Sequence, residues 1–203
     1  MPDPTRAGRE PVTGPAPGRL EHVRAFVNTL DIEAGTDELD SPAAIADWLR
    51  SRQLIPGPVA ASAGDLRRAT GLREALREVL SGHVGAGHRS GAPLAGLRAI
   101  TDGLAARLAI GDDGEVRTAP AGGAVADGLA ALMLIAAEAS TLGTWQRLKV
   151  CGADDCRWAF YDRSPARTGC WCSMAVCGSR AKSRAFRRRS AAAAGLTSDP
   201  PRS

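Results

Sequence analysis

The chain has 203 residues, is 44% hydrophobic with 4 Trp, 3 Phe and 1 Tyr, and carries a net charge of +4. That size and apolar content suit one mid-sized domain or a domain with a small appendage, and argue against a disordered chain. Its 23 Gly and 13 Pro fall short of a low-complexity or collagen-like composition. The longest apolar run, residues 128–137, lies between Asp127 and Glu138 and is too short for a membrane span, which needs about 20 residues. Met1 to Arg19 is rich in Pro, Gly, Arg and Thr and has no leader-like pattern, so the expected compartment is the cytoplasm, with no membrane partner.

The charge is unevenly placed. Residues 1–144 have 14 Arg and no Lys against 18 acidic groups, whereas residues 145–203 have 12 basic and 4 acidic groups. An acidic body is thus followed by a basic tail, and all five cysteines (Cys151, Cys156, Cys170, Cys172 and Cys177) lie in that tail. Both features place a boundary near Gly143.

Residues 1–18 contain five prolines and no apolar periodicity, which predicts a disordered lead. Leu20, Val23, Phe26, Val27 and Leu30 recur at helical spacing. After the acidic loop Asp37 to Asp40, Ser41 and Pro42 suit an N-cap and first helical position for a second helix to about Arg52, burying Ile45, Trp48 and Leu49. Ile55-Pro56-Gly57-Pro58 breaks the chain. Ser62 and Asp65 then match a capping box, opening a third helix with the stripe Leu66, Ala69, Leu72, Leu76, Val79 and Leu80. A Gly-rich loop follows from His83 to Gly91, and Pro93 opens a helix carrying Leu94, Leu97, Ile100 and Leu104, whose period changes near Arg107. Leu108 and Ile110 alternate, as do Val116 and Thr118, around Gly111-Asp112-Asp113-Gly114, predicting a hairpin with a four-residue loop. The apolar positions 125, 129, 132, 136 and 139 define a central buried helix from Val125 to Leu142. The fold class is therefore α+β: a mostly helical body with a short β-hairpin, followed by a small four-cysteine module and a basic C-terminal helix.

The cysteines form two matched C-x4-C pairs, Cys151/Cys156 and Cys172/Cys177, with 15 residues between them. Two such loops supply four thiolates, the tetrahedral set of a structural zinc site, so one structural Zn²⁺ per chain is expected. Five free buried cysteines, or a catalytic zinc, are the alternatives. The latter usually takes His or carboxylate ligands, and His22, His83 and His88 are far upstream. Arg157-Trp158-Ala159-Phe160-Tyr161 has strand-like composition and would pair with Lys149 to Cys151. Arg157, Arg180 and Lys182 are placed to offset the negative charge of a four-thiolate centre. Cys170 has no C-x4-C partner and reads as a non-ligand, either a bystander or the sensor of a redox-responsive zinc switch.

The run Trp171-Cys172-Ser173-Met174-Ala175-Val176-Cys177-Gly178-Ser179-Arg180-Ala181-Lys182 closely resembles the CGNR-type zinc finger, with its Cys-Ser-Met opening, Cys-Gly-Asn-Arg motif and basic helix. Phe26-Val27-Asn28-Thr29-Leu30-Asp31 resembles the opening of the ABATE domain that usually precedes this finger, in a family associated with stress-induced transcription regulation. The resemblance spans about residues 20 to 190, implying an ABATE-like domain over 19–144 and a finger with its helix over 145–192. The remaining residues, 193–203, read as a flexible tail. It also implies Cys151, Cys156, Cys172 and Cys177 as zinc ligands, in agreement with their spacing. Ser179 departs from the family Asn, and Cys170 stands where the family tends to have a basic residue.

After Cys177, Arg180, Lys182, Arg184, Arg187, Arg188 and Arg189 follow one another without an intervening acid. Like charges on a helix repel, so a polyanion is the expected partner. With Ser179 at the helix start, these residues are the candidate contacts to double-stranded DNA. A solvated basic helix, one docked on the acidic body, and RNA binding are the rivals. Trp158, Phe160 and Tyr161 read as core rather than as a base-stacking platform. Asn28 and Asp31 are candidates for a ligand pocket, against the commoner role of capping or turning the chain. His22 and His83 read as surface residues. Gly85-Ala86-Gly87-His88 follows a helix and lacks the strand-to-helix context of a phosphate loop.

No acid–base pair or activated nucleophile emerges from spacing, so the expected role is non-enzymatic: a zinc-containing DNA-binding regulator. Its body would sense a small-molecule effector or mediate assembly, such as a homodimer. A redox switch and a protein-interaction module without DNA binding are the alternatives.

Overall fold

Helix α1 (Leu20–Val27) buries Leu20, Val23, Phe26 and Val27 on one face, as their spacing requires. The structure is a computed structural model that describes residues 14–84, 94–120 and 124–196. Most of the expected lead and of the glycine-rich loop, including His88, and the last seven residues of the expected tail lie outside these ranges. Order already begins before α1: Ala16 is buried and its N–H donates to Glu21 Oε2.

The apolar stripe of α1 does not continue helically to Leu30. The chain leaves the helix at Asn28, and Thr29 Oγ1 donates to the Phe26 carbonyl in place of a further turn. Leu30–Asp31 becomes β1 and pairs antiparallel with β2, Thr36–Asp37, which reaches the first residue of the expected acidic loop Asp37 to Asp40. Asp31 turns the chain between them by accepting from the Ala34 N–H, while its carbonyl accepts from Gly35.

Helix α2 (Pro42–Ser51) starts as its sequence predicts, with Ser41 Oγ accepting from the Ala44 N–H. Ile45, Trp48 and Leu49 are buried, and Trp48 packs tilted on Phe26 at 5.4 Å between ring centres. Helix α3 (Ala63–Ser81) opens with the expected reciprocal Ser62/Asp65 capping box. Its buried face holds Ala69, Leu72, Leu76 and Leu80, but also two arginines, Arg73 and Arg77, absent from the predicted stripe. Both are paired. Arg73 grips the carboxylate of Asp37 at 2.6 and 2.9 Å and reaches Thr29 Oγ1. Arg77 donates to the Val27, Leu30 and Arg157 carbonyls and to Glu74. Burial tends to lower the Arg73 pKa, but Asp37 and Glu74 raise it overall; for Arg77, burial prevails and lowers it.

Helix α4 (Leu94–Thr101) ends before Leu104, and β3 (Ala106–Ile110) pairs antiparallel with β4 (Val116–Pro120). The predicted hairpin is present with a tighter turn than its flanking glycines suggest. Gly111 and Glu115 are still joined by a backbone hydrogen bond, leaving Asp112-Asp113-Gly114 as the loop. Leu108 and Ile110 are 74% and 76% exposed: the hairpin meets the body through β4 and α5, leaving this face of β3 uncovered.

Helix α5 (Val125–Thr141) is the central element, packed against α1, α2, α3 and β4 with Val125, Leu129, Leu132, Ile135 and Ala139 inside. It ends on a paired hydrogen-bond motif, Gly143 N–H to Ser140 O and Thr144 N–H to Ala139 O. The motif needs a left-handed residue, and Gly143 supplies it at φ +68°.

Beyond Gly143 the core continues. After a single 3-10 turn (Trp145–Arg147), β5 (Leu148–Val150) pairs with β6 (Ala159–Tyr161), close to the predicted hairpin. Leu148, Val150, Ala159 and Tyr161 belong to the same apolar core as α1, α3 and α5. His83, expected at the surface, is half-buried against this hairpin, with Nδ1 2.8 Å from the Leu148 carbonyl and its ring edge-on to Trp145. Burial lowers its pKa. Helix α6 (Ser179–Leu196) closes the described chain.

Candidate metal centre and basic helix

The first cysteine pair sits on the β5–β6 connection. Cys151 follows β5 directly, and its N–H still donates to the Trp158 carbonyl across the ladder. The chain then turns tightly, with the Cys156 and Arg157 N–H groups both donating to the Ala153 carbonyl, and Arg157 adopts a left-handed φ of +48°.

The second pair is delivered by a loop organised around buried Lys149. Its ammonium donates to Asp162 Oδ2 at 2.8 Å and to the Arg167 and Gly169 carbonyls. Asp162 also accepts from the Ser164 hydroxyl and N–H and from the Gly169 N–H. Burial alone would push this carboxyl up, but the Lys149 ammonium and the other donors override it and hold the pKa at about 2. A Cβ on Gly169 would lie 2.9 Å from the Asp162 carboxyl carbon, so the close approach requires glycine there. The Gly152 N–H donates to the Cys170 carbonyl and ties this loop to the first knuckle. Ser173 Oγ accepts from Val176 N–H, and a wide π-type turn over Met174–Gly178, closed by Gly178 N–H to Ser173 O, leads into α6.

The Sγ atoms of Cys151, Cys156, Cys172 and Cys177 are all buried and lie within 4.8 Å of one another. Cys156 to Cys172 is 3.6 Å and Cys172 to Cys177 is 3.7 Å. A tetrahedron of thiolates about 2.3 Å from zinc has an edge of about 3.8 Å, so the donor set fits the ion. Its acid–base chemistry agrees. Hydrogen bonds from the Cys156 and Cys172 thiols lower the pKa of Cys151, whose thiolate then pushes Cys156 and Cys172 up. Full ionisation of the cluster therefore calls for a cation. Trp158 and Trp171 pack around the sulfurs with Phe160, which is buried. Of the aromatics expected as core, Phe160 is buried here and Tyr161 in the body, whereas Trp158 is half-buried against the cluster. Cys170 lies outside the cluster and its thiol faces the Thr168 carbonyl at 3.3 Å.

The cations near the centre divide by direction. Arg157, expected to offset the thiolates, instead pairs with Glu78 on α3. Arg180 Nη2 lies 3.4 Å from Cys177 Sγ, and its guanidinium also grips both carboxylate oxygens of Glu33 at 2.9 and 3.3 Å. Glu33 first, and Cys177 second, raise its pKa. Arg184 pairs with Asp155 at 3.3 Å. With Arg188 it lines a polar cleft of about 350 Å³ against the first knuckle. Lys182, Arg187 and Arg189 are exposed, as is Phe186, and these three cations make no ion pair among the described residues. Ser179, also exposed, donates to the Met174 carbonyl.

Asn28 and Asp31 serve backbone rather than an evident ligand pocket. Asn28 is buried and binds Ala159 twice, accepting from its N–H at 2.7 Å and donating to its carbonyl at 2.9 Å. The amide thus extends the β5–β6 hairpin laterally and docks it on the end of α1. Asp31 holds the β1–β2 turn described above. Sequence reasoning missed Glu33, Asp155 and the buried pair Arg73 and Arg77, whose partners are far away in the chain.

A helical body sharing its core with the hairpin of a four-cysteine centre, and prolonged by a basic helix, defines a protein of the four-cysteine zinc-finger class. The family described as "Putative stress-induced transcription regulator", ABATE, matches residues 21–144, and the CGNR zinc finger matches residues 147–190. The chain belongs to the ABATE family and carries a CGNR zinc finger. None of the curated proteins matches it. Among the described residues, no helix is long and apolar enough to cross a membrane.

Proposed function

We propose that this chain is a non-enzymatic transcription regulator that binds double-stranded DNA through α6, with one structural zinc per chain fixing the start of that helix. Cys151, Cys156, Cys172 and Cys177 would hold the ion, which supplies rigidity at the turn into α6. The observation that carries the reading is that Lys182, Arg187, Arg188 and Arg189 are exposed along α6 while Arg180 and Arg184 are engaged within the chain. Unpaired like charges on one helix favour a phosphate backbone as partner.

Titration of the zinc-loaded chain with duplex DNA over a salt series tests this. Three or four phosphate contacts predict a slope of log affinity against log salt of about −3 to −4, from roughly −0.9 per contact. Replacing Arg187 and Arg189 by Gln is expected to reduce that slope by about 2. A flat salt response in the wild type refutes DNA binding and favours a protein-interaction module.

Two features support regulation through the body. An apolar cavity of about 370 Å³ lies between α4, the start of β3 and α5, lined by Leu97, Leu104, Met133 and Leu134 among others, and has the size of a small-effector site. The bare apolar face of β3 at Leu108 and Ile110 supports self-assembly.

A further inference from the structure

We propose that Arg180 is a positioning residue rather than a DNA contact: it joins the zinc-bound Cys177 sulfur to Glu33, and so fixes the basic helix to both the metal centre and the acidic body. The inference rests on zinc occupying the four-cysteine centre, and it changes how the basic helix is read.

Arg180 follows Cys177 by three residues, at the beginning of α6. That offset places both residues on the same side of the chain as it winds into the helix. The guanidinium is a planar fork, and its two terminal nitrogens are used in different directions. Nη1 meets Glu33 Oε1, while Nη2 is shared between Glu33 Oε2 and Cys177 Sγ. Asp155, on the first knuckle, approaches Nη1 at 3.9 Å and also takes Arg184 one turn along α6. Four separate pieces of the chain therefore meet at one guanidinium: the β1–β2 turn, the first knuckle, the last zinc ligand and the helix. A Lys could supply the charge, but its single ammonium could not reproduce this fork.

Two physical consequences follow. A donor to a metal-bound thiolate draws electron density from the sulfur, and such outer-shell partners tune affinity for the ion. An arginine held by a carboxylate on one side and a thiolate on the other has little freedom to reach a phosphate. The phosphate-facing set is thereby narrowed to the outward cations of α6.

The test uses the full chain with three variants, Arg180→Gln, Glu33→Gln and Arg189→Gln, and the double variant of the first two. Zinc affinity is measured by competition with a chromogenic chelator, and the cysteine–metal charge-transfer bands are recorded after cobalt substitution. Arg180→Gln is expected to weaken zinc about tenfold or more, in the range found for outer-shell partners. It should also move the charge-transfer bands to lower energy, because the Cys177 sulfur loses a donor. Glu33→Gln should weaken zinc by a smaller factor, about threefold, since the guanidinium stays but is less well aimed. The double variant should be no weaker than Arg180→Gln alone. Arg189→Gln removes the same charge further along the helix and should leave zinc affinity and the cobalt spectrum unchanged while weakening DNA binding.

Unchanged zinc affinity and cobalt spectrum in Arg180→Gln overturn the proposal, and a concurrent loss of about one unit of DNA salt slope would make Arg180 a phosphate contact. Strictly additive effects of Arg180→Gln and Glu33→Gln overturn the link to the body. Glu33→Gln, at a half-buried turn, keeps the link testable if Arg180→Gln does not fold. Because both readouts are independent of nucleic acid, failure of the chain to bind DNA would refute the functional reading while leaving this result standing.

Discussion

The two cores of this protein are built from different materials. In the body, Leu, Ile, Val, Ala and Phe side chains from α1, α2, α3 and α5 pack together and exclude water. The knuckle core consists of four sulfurs and Ala153, walled by Phe160, Trp158 and Trp171, too little apolar material to hold its loops together. Burial of apolar surface stabilises the first; the second depends on a cation that satisfies mutually repelling thiolates. The comparison teaches that the stability boundary and the sequence boundary differ, since β5 and β6 carry the first cysteine pair but pack with the body.

Metal removal should separate the cores most sharply. Chelation, or Cys172→Ser, is expected to abolish amide-exchange protection over 152–158 and 163–178 while α1 to α5 and the paired strands β5 and β6 retain theirs. Loss of protection throughout the chain would show the two cores to be one cooperative unit. A second break targets the joint. Arg77→Met leaves the Val27, Leu30 and Arg157 carbonyls without their buried donor and is expected to cost about 3 kcal/mol or more in urea unfolding. A change below about 1 kcal/mol would mean that the joint is not held by this side chain.

The smallest effect concerns acid. Asp162 titrates at about 2 in the folded chain, below the ordinary 3.8, so its contribution is full above about pH 4 and is lost as the pH falls towards 2. The shift corresponds to about 2 kcal/mol. Asp162→Asn should remove that part of the pH dependence between 4 and 2, read as the difference in unfolding free energy between variant and wild type. Parallel pH profiles would exclude the Lys149–Asp162 pair as its source.

Local signals in the sequence predicted much of this arrangement. Ser41-Pro42, Ser62 with Asp65, and the apolar periodicity of α5 each act within a few residues, and the helices begin and run where these features place them. The cysteine pairs are equally local, and their four sulfurs converge. What escaped is long-range and polar. Arg73 and Arg77 were not read as core because their charges are neutralised by Asp37, Glu74 and backbone carbonyls on other elements. Asn28 binds a residue 131 positions away, which leaves no periodic trace. For the same reason the six cations of α6 look equivalent in sequence, while Glu33 and Asp155 take two of them. The strands β1 and β2 are two residues each, below what alternation can reveal.

The shared hairpin also governs how this protein can be taken apart or recombined. A truncation after Gly143 would strip Leu148, Val150, Ala159 and Tyr161 from the body and leave an apolar scar with Asn28 and Arg77 facing solvent. A transplanted finger beginning at Trp145 would carry the complementary scar. The smallest exchangeable piece is therefore not the zinc-binding segment alone but that segment together with the surface of α1 and α3 that receives it. Chimeras between relatives should tolerate a junction within the outer half of α6 far better than one at the apparent domain border.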